Sequence, residues 1–270
     1  MPSPPGRRVI TLGRMSEDLL AAYDQHLRGT GVPALGAWIE RDGPLLRIVG
    51  EHRGFVTGPR DLSGHDVEAL IAAQIAFFGG RGEAVEWKAC GHDLPHDLPD
   101  RLRAAGFVAD PTETVVIGGI SDTLTAPSAP DGVVIRRVGR EAIPAIVAME
   151  SQVWERDCGF ISDHLSGSLA AAPDRLAIFT AEAAGQVVGA AWVELIEGGV
   201  FASLWGGSTL KEWRGQGIYR ALVAVRARLA AEHGYRYLHV DASDDSRPIL
   251  ERLGFTAITT TTPYIWSPPA

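Results

Sequence analysis

Cysteine is nearly absent from this sequence: Cys90 and Cys158 are the only two among 270 residues. Two cysteines so far apart cannot build a disulfide framework or a cysteine-rich metal cluster, and their scarcity is typical of a reducing compartment. A single bridge between them is the remaining alternative. His92 and His96 are separated by Pro95 and lack a third ligand cluster, so we predict loop histidines and no metal site.

Long apolar runs and an excess of positive charge are also missing. No window approaches the roughly 18 consecutive apolar residues of a transmembrane helix, and residues 1–8 lack the apolar core of a secretory signal. The 25 Lys+Arg against 33 Asp+Glu give a net charge of −8, which argues against a general nucleic-acid or anionic-membrane surface. We therefore expect a cytoplasmic protein without such partners, and any anion site must be local.

The composition that remains is that of a globular protein, with 46% hydrophobic and 21% charged residues. The length permits two small domains or one large one. Small, polar, proline and glycine residues without periodicity fill the stretch 120–132, which predicts a surface linker over 121–131. The linker separates a first piece, 1–120, from a second piece, 132–270.

The second piece carries the clearer secondary-structure pattern. Its order is strand, helix, three strands, helix, strand, helix and closing strands over 255–266, which predicts an α/β (α+β) unit with a mixed sheet flanked by helices. The helix that begins near Ile218 has an apolar stripe, made of Ile218, Ala221, Leu222, Val225 and Leu229. Arg220, Arg226 and Arg228 are expected to carry charge elsewhere on it, and Gly234 to end it.

The two pieces share residues at regular offsets. An offset of 152 (221 − 69) places Ala69, Leu70, Ala72 and Gly82 on Ala221, Leu222, Ala224 and Gly234. An offset of 148 (245 − 97) places Asp97, Leu102, Gly106 and Phe107 on Asp245, Leu250, Gly254 and Phe255. The first piece is thus interpreted as a diverged copy, against the alternative of two unrelated α/β domains with generic Ala/Leu helices. Only the second copy keeps a glycine-rich loop before its helix.

That loop, Arg214-Gly-Gln-Gly-Ile-Tyr-Arg220, follows a strand and opens a helix. Backbone N–H groups at a helix N-terminus point the same way and attract anions, and the glycines let a phosphate approach them. The loop is neither a Walker loop nor a dinucleotide fingerprint. An anion site is therefore one reading, and a plain helix start after a flexible turn is the other.

Arg214-x-x-Gly217-x-Tyr219, followed about 30 residues later by Leu-Glu-Arg-Leu-Gly254-Phe255, resembles the GNAT superfamily of acyl-CoA N-acyltransferases. The resemblance covers about residues 132–266, and it implies the acyl-CoA N-acyltransferase fold in two tandem copies, the first degenerate. It implies acetyl-CoA as co-substrate, with the pantetheine arm on Ser208, Thr209 and Leu210. The phosphates would lie on Arg214, Gly215, Gln216, Gly217, Ile218, Tyr219 and Arg220.

Two positions depart from the family pattern. Tyr219 stands where Gly or Ala is usual, although its backbone amide remains usable. Leu250 stands where a Tyr often protonates the departing thiolate. Either another residue supplies that proton or no donor is needed, since a thiol with a pKa of about 8.5 is already a fair leaving group.

The reaction that the resemblance implies is direct attack of an amine on the thioester, which requires a proton acceptor. Glu194, near the end of the predicted strand 187–195, is the first candidate, and a solvated strand-end carboxylate is its alternative. Ser243 and Tyr264 are the candidate proton donors. Asp241, at the end of the strand 235–242, is a further candidate whose alternative is a role in the turn.

The function predicted from these patterns is acetyl-CoA-dependent N-acetyltransfer to a primary amine of a small molecule by a monomer or homodimer. The alternative is a non-catalytic acyl-CoA-binding or sensor protein. An acyl chain longer than acetyl stays open, because a fold does not choose a substrate.

Overall fold

The computed structural model describes residues 12–28, 38–50, 53–123 and 129–269. The N-terminal residues 1–8 and residues 124–128 of the predicted linker lie outside these ranges, whereas the start of the linker stretch is a short helix. Within these ranges no helix has the length and apolar character needed to cross a membrane.

The first half contains four helices and six strands in the described ranges. In chain order they are α1 (Leu12–His26), β1 (Trp38–Asp42), β2 (Leu45–Val49), β3 (Gly54–Thr57), α2 (Val67–Gly79), β4 (Val85–Cys90), α3 (Leu98–Ala104), β5 (Val108–Ala109), β6 (Glu113–Gly119) and α4 (Ile120–Thr123).

The second half follows the predicted order with one addition. Its elements are β7 (Val133–Val138), α5 (Ile143–Trp154), α6 (Phe160–Ala171), β8 (Leu176–Ala183), β9 (Gln186–Leu195), β10 (Phe201–Thr209), α7 (Ile218–Glu232), β11 (Tyr237–Ala242), α8 (Arg247–Arg252) and β12 (Thr256–Trp266). The sequence did not predict α6, and the closing strands are a single strand, β12.

All these strands form one mixed sheet with the order β1-β2-β3-β4-β12-β6-β11-β10-β9-β8-β7, and β5 pairs with β12 at the side. Each half contributes antiparallel strands that end in a parallel pair, β3 with β4 and β10 with β11. The prediction of a mixed sheet flanked by helices is confirmed.

The last strand of each half lies in the sheet of the other half. Beside β11 lies β6, and beside β4 lies β12, while β6 and β12 also pair with each other. Ile117 of β6 pairs with Thr256 of β12, and Val108 of β5 pairs with Ile265 farther along β12.

Three apolar clusters hold the sheet and helices together. The largest fills the second half between β8, β9, β10 and the helices α5, α6 and α7. A second fills the first half and includes Tyr264 from β12. The third joins α1 to β4, β6 and β10 at the junction.

Helix α7 ends as predicted, because Gly234 adopts a φ of +81° just after it. One expectation for this helix was wrong. Arg226 is not on a charged outer face: it is 1% exposed, and its guanidinium donates hydrogen bonds to the backbone carbonyls of Leu222, Trp192 and Trp205. Burial lowers the pKa of Arg226 to about 10. The carbonyl groups replace water around a cation that would otherwise be too costly to bury.

Candidate functional site

The sheet of the second half opens between its two parallel strands. Strand β10 runs to Thr209, yet it pairs with β11 only over Phe201–Ser203. The edge of residues 204–209 that faces β11 therefore has no strand partner. On its other edge β10 stays paired with β9, with an irregularity between Trp205 and Ser208.

Gly206 makes this irregularity possible. Its φ is +59°, and a Cβ atom built on it would lie 1.8 Å from the Trp192 ring. Only glycine combines that backbone conformation with so close an approach. The open edge is thus held in place by the packing of Trp192 beneath it.

The glycine-rich loop begins where the open edge ends. The Leu210 amide donates to the Val188 carbonyl (2.9 Å), and a 3-10 turn over Lys211–Trp213 leads into Arg214. Arg214 Nε donates back to the Thr209 carbonyl (3.1 Å). These contacts fix the loop against the end of β10.

The backbone amides of the glycine-rich loop have no acceptor among the described backbone groups. Gly217 is the N-cap of α7 with φ +92°, and no side chain caps the helix. Within the described ranges, the N–H groups of residues 215–220 donate to no backbone carbonyl. A Cβ atom on Gly215 would meet nothing within 4 Å, and one on Gly217 would lie 3.3 Å from Nη2 of Arg220. The loop is therefore an open set of donors at the positive end of a helix, with a guanidinium beside it.

The Tyr219 side chain crosses the gap between the two strands. A Cβ atom built on Gly207 would lie 2.7 Å from Cε2 of Tyr219, so the ring rests on the open part of β10. Its hydroxyl lies near the side chain of Ser246, which follows β11. Burial raises the pKa of Tyr219, while the Arg226 charge and the neighbouring Ser246 side chain oppose that rise.

The strand residues of the predicted site are buried. Ser208, Thr209 and Leu210 are 6%, 8% and 7% exposed. The Ser208 hydroxyl donates to Glu150 Oε2 on α5 at 2.7 Å. Oγ1 of Thr209 has no hydrogen-bond partner among the described residues.

Glu150 is a buried carboxyl group beside these residues that the sequence analysis did not single out. It is 1% exposed, and its Oε2 accepts hydrogen bonds from Ser208 and from Trp154 Nε1 (2.9 Å). Burial raises the pKa of Glu150 to about 7. A signal was present, because residue 150 lies four positions after Ile146 and seven after Ile143 on the apolar stripe of its helix, where a carboxylate is unusual.

The predicted catalytic residues do not form one group. Glu194 lies on β9 opposite Ser203, and its Oε1 is 3.4 Å from His164 Nε2 on α6. Ser243 Oγ is 3.2 Å from Ser246 Oγ, next to the hydroxyl of Tyr219. The structure thus brings Ser243 to the gap and leaves Glu194 on the neighbouring strand.

Tyr264 lies in the apolar core of the first half. It is 2% exposed, pairs across the sheet with Trp87, and accepts a hydrogen bond from Arg103 Nη2 (3.2 Å). The exchange of the last strands carries it there, since the part of β12 that holds Tyr264 pairs with β4 and not with the second half. Its packing and its partner are those of a structural residue.

Asp241 belongs to a buried polar network between the halves. Its carboxylate forms an ion pair with Lys88 from β4 and lies 3.1 Å from His239 Nε2, while His239 Nδ1 lies 3.2 Å from Ser203 Oγ. The Lys88 and His239 charges lower the pKa of Asp241 well below its usual value, against the opposing effect of burial. An ionised carboxylate with two such partners is a poor proton acceptor.

Three potential metal ligands meet in the first half, contrary to the spacing argument that left His92 without a cluster. The ligand atoms of Cys90, His92 and Asp93 lie within 4.8 Å of one another. Each is already engaged: His92 with Asp24 and Thr259, Asp93 with Arg28 and the Cys90 amide, and Cys90 Sγ with the Tyr23 hydroxyl. The hydrogen bonds of this group attach α1 and the residues just after it to the end of β4.

Comparisons with known proteins agree with this geometry. The family model described as "Acetyltransferase (GNAT) family" matches residues 144–255. No curated protein matches the chain in sequence. Among solved structures, a GCN5-related N-acetyltransferase from Kribbella flavida is 18% identical with a TM-score of 0.64, and the match covers 95% of each chain.

Two further structures share the architecture. A tandem GNAT protein from the clavulanic acid biosynthesis pathway is 15% identical with a TM-score of 0.59, and the match covers 88% of this chain and 86% of that one. A GCN5-related N-acetyltransferase from Sphaerobacter thermophilus is 15% identical with a TM-score of 0.62, and the match covers 84% and 78%. At such identities the likeness establishes the fold, and it extends over both halves.

Proposed function

Because the model of the GNAT acetyltransferase family matches residues 144–255, we propose that this protein transfers the acetyl group of acetyl-CoA to a primary amine of a small molecule. One observation carries the proposal: the unbonded amides of residues 215–220 directly follow the unpaired edge of β10. Such an edge can pair with an extended, amide-containing arm, and such amides can bind phosphates.

The residues present fit the phosphate end of coenzyme A well. Open space at Gly215 and the guanidinium of Arg220 beside Gly217 support a pyrophosphate on the loop. The Ser208, Thr209 and Leu210 backbone supports the pantetheine arm, whose amides would pair with β10. At the middle of the gap, however, the ring of Tyr219 must move for the arm to reach the sheet.

We further propose that residues 132–270 are the catalytic domain and residues 1–120 a degenerate copy joined by the linker 121–131. The shared layout supports a duplication, because the antiparallel strands of each half end in a parallel pair and each half adds its last strand to the other half. The first copy lacks the glycine-rich loop, and at its helix start the side chain of Asp66 already accepts a hydrogen bond from the Ala69 amide.

The test of the cofactor assignment is calorimetric titration of acetyl-CoA and of coenzyme A into wild type and Gly217→Glu. We expect wild type to bind one equivalent and Gly217→Glu to lose at least about tenfold in affinity, because its carboxylate repels the phosphates at the loop. Gly234→Glu is the matched control, since Gly234 also has a positive φ and lies at the other end of the same helix. Equal binding by wild type and Gly217→Glu would contradict the assignment.

A non-catalytic acyl-CoA sensor is the second candidate. Two observations favour it: Tyr219 spans the gap, and the position of the usual Tyr acid is Leu250, which is fully buried. Thiol release separates the two candidates. A transferase releases coenzyme A from acetyl-CoA when a primary amine is added, whereas a sensor binds acetyl-CoA and releases none.

A further inference from the structure

We propose that Glu150, and not Glu194, accepts the proton of the acceptor amine in the transfer reaction. This inference rests on the proposed function. It assigns the proton transfer to a carboxylate on α5.

The position of Glu150 places it at the open edge. Its Oε2 is hydrogen-bonded to Ser208, which lies within the unpaired segment 204–209 of β10. It is also bonded to Trp154, whose side chain is 53% exposed. The carboxyl group therefore lies next to the strand that faces the gap, and the Trp154 side chain lies between it and solvent.

The two oxygens of Glu150 are not equivalent. Oε2 accepts both hydrogen bonds, whereas Oε1 is buried and has no partner among the described residues. A buried polar atom without a partner is costly and marks a position that a ligand or a proton completes. Since the two donors occupy Oε2, the proton enters and leaves at Oε1.

The raised pKa of Glu150 is consistent with a role as general base. Burial raises its pKa to about 7, and the Ser208 and Trp154 hydrogen bonds work in the opposite direction. A general base is most effective when its pKa lies near the working pH. None of the charged or titratable side chains on the elements packed against α5 contributes to this pKa shift. These side chains are Glu194 on β9, Asp163 and His164 on α6, and Arg140 and Glu141 in the preceding 3-10 turn.

Glu194 lies beside a different part of β10 from Glu150. It is opposite Ser203, where β10 and β11 are still paired, whereas Ser208 is opposite Ala190. At about 3.3 Å per strand residue, the four positions between Ala190 and Glu194 amount to roughly 13 Å. Glu194 therefore lies beside the closed part of the gap and Glu150 beside the open part.

The chemical step balances with one base. Glu150 Oε1 takes a proton from the bound ammonium group, and the freed lone pair of the amine nitrogen forms the N–C bond to the thioester carbon. The C–S bond breaks with its electron pair on sulfur, and the second nitrogen proton ends on the thiolate. The products are an amide and the free thiol, and Glu150 returns its proton to solvent.

The experiment compares wild type, Glu150→Gln, Glu194→Gln and the control Glu155→Gln, which changes an exposed residue just after the same helix. Gln at 150 keeps an acceptor for Ser208 and Trp154 but cannot take a proton. Tryptophan fluorescence is followed from pH 5 to 9, with Trp154→Phe identifying the reporter. Thiol release from acetyl-CoA is then followed over the same pH range with the fastest of tryptamine, spermidine and glucosamine.

We expect a fluorescence transition near pH 7 that Glu150→Gln abolishes and Glu155→Gln retains. The kcat of wild type should rise with pH through the same midpoint. Glu150→Gln should lower kcat by about 10²- to 10⁴-fold and remove the rise, with the KM for acetyl-CoA unchanged within about twofold. Glu150→Asp, which keeps a carboxylate, should keep the rise at a lower rate.

Two results would overturn the proposal while leaving the proposed function intact. In one, Glu150→Gln keeps the pH profile of wild type, whether or not kcat falls, which would reduce Glu150 to a support for Ser208. In the other, Glu194→Gln alone removes the pH-dependent rise. A wild type that binds acetyl-CoA and releases no thiol with any of the three amines counts against the transfer itself and removes the role of Glu150 with it.

Discussion

Tyr219 shows how one residue changes a site whose backbone is otherwise complete. The loop around it presents the same free amides that a smaller residue would allow, because amide direction depends on the glycines at 215 and 217. The side chain, however, lies on Gly207 and reaches Ser246. The sequence located the loop, but it could not tell where an aromatic ring at the helix start would point.

Replacing Tyr219 by Gly should tighten the binding of coenzyme A by at least about threefold. The ring spans the gap between β10 and Ser246, and its displacement opposes binding of the pantetheine arm. Calorimetry with coenzyme A measures the change, and Tyr219→Phe, which keeps the ring, is the control and should stay near wild type. Weaker binding by Tyr219→Gly would mean that the ring contacts the ligand favourably.

At the scale of elements, the two matching helices α2 and α7 differ at their first turn. Each connects the two strands of a parallel pair. Asp66 Oδ1 accepts a hydrogen bond from the Ala69 amide at 3.0 Å, whereas no side chain caps α7. One helix start is closed by the chain's own carboxylate, and the other remains open to an external anion. This contrast is the physical reason for proposing a phosphate site at α7 and none at α2.

Asp66→Ala should lower the free energy of unfolding by about 1 kcal/mol, the usual effect of losing an N-cap. Asp66→Asn keeps an acceptor oxygen and should stay within a few tenths of a kcal/mol of wild type. Urea denaturation followed by circular dichroism measures both. The cap assignment fails if the two variants lose equal stability.

The elements that the sequence predicted well are those whose pattern is local. The apolar stripe and the glycines fixed α7 and its end, and the β-rich runs fixed β8, β9 and β10. Helix α6 was missed because no regular apolar stripe was recognised over 160–171. Arg226 and Glu150 were misjudged or missed because their burial depends on strands distant in sequence.

At the scale of the whole molecule, the exchange of last strands makes the halves interdependent. Strand β11 pairs over six residues with β6, and β12 pairs with both β4 and β6. These pairings join segments more than a hundred residues apart, so local patterns could not reveal them. The sequence repeat alone is equally compatible with two halves that each form a separate sheet.

Residues 132–270 expressed alone should not form a stable monomer, because β11 would lose its neighbour and present an unpaired edge. We expect aggregation or a transition of low cooperativity in gel filtration and thermal unfolding. Co-expression with residues 1–131 should restore a soluble complex, since β6 is then supplied. A monomer of 132–270 that unfolds cooperatively at the temperature of the full chain would contradict this dependence.

The buried ion pair between Lys88 on β4 and Asp241 on β11 makes the stability of the junction between the halves dependent on both charges. Lys88→Met should cost about 3–5 kcal/mol, because Asp241 is left as a buried carboxylate without its main partner. Lys88→Met with Asp241→Asn should recover part of that loss, which a double-mutant cycle in urea measures.

The pH dependence of that loss follows from the lowered pKa of Asp241. A carboxyl group whose pKa is lower in the folded state stabilises the fold above its unfolded pKa of about 3.9, and the contribution is lost as the pH falls towards the folded value. In Lys88→Met the buried carboxylate has its pKa raised instead, so acid neutralises the unpaired charge. Because the unfolded states titrate alike, the difference in unfolding free energy between wild type and Lys88→Met should narrow as the pH falls through the raised pKa of the variant, which lies above the unfolded value. A constant difference from pH 7 to pH 3 would show that Asp241 does not depend on Lys88.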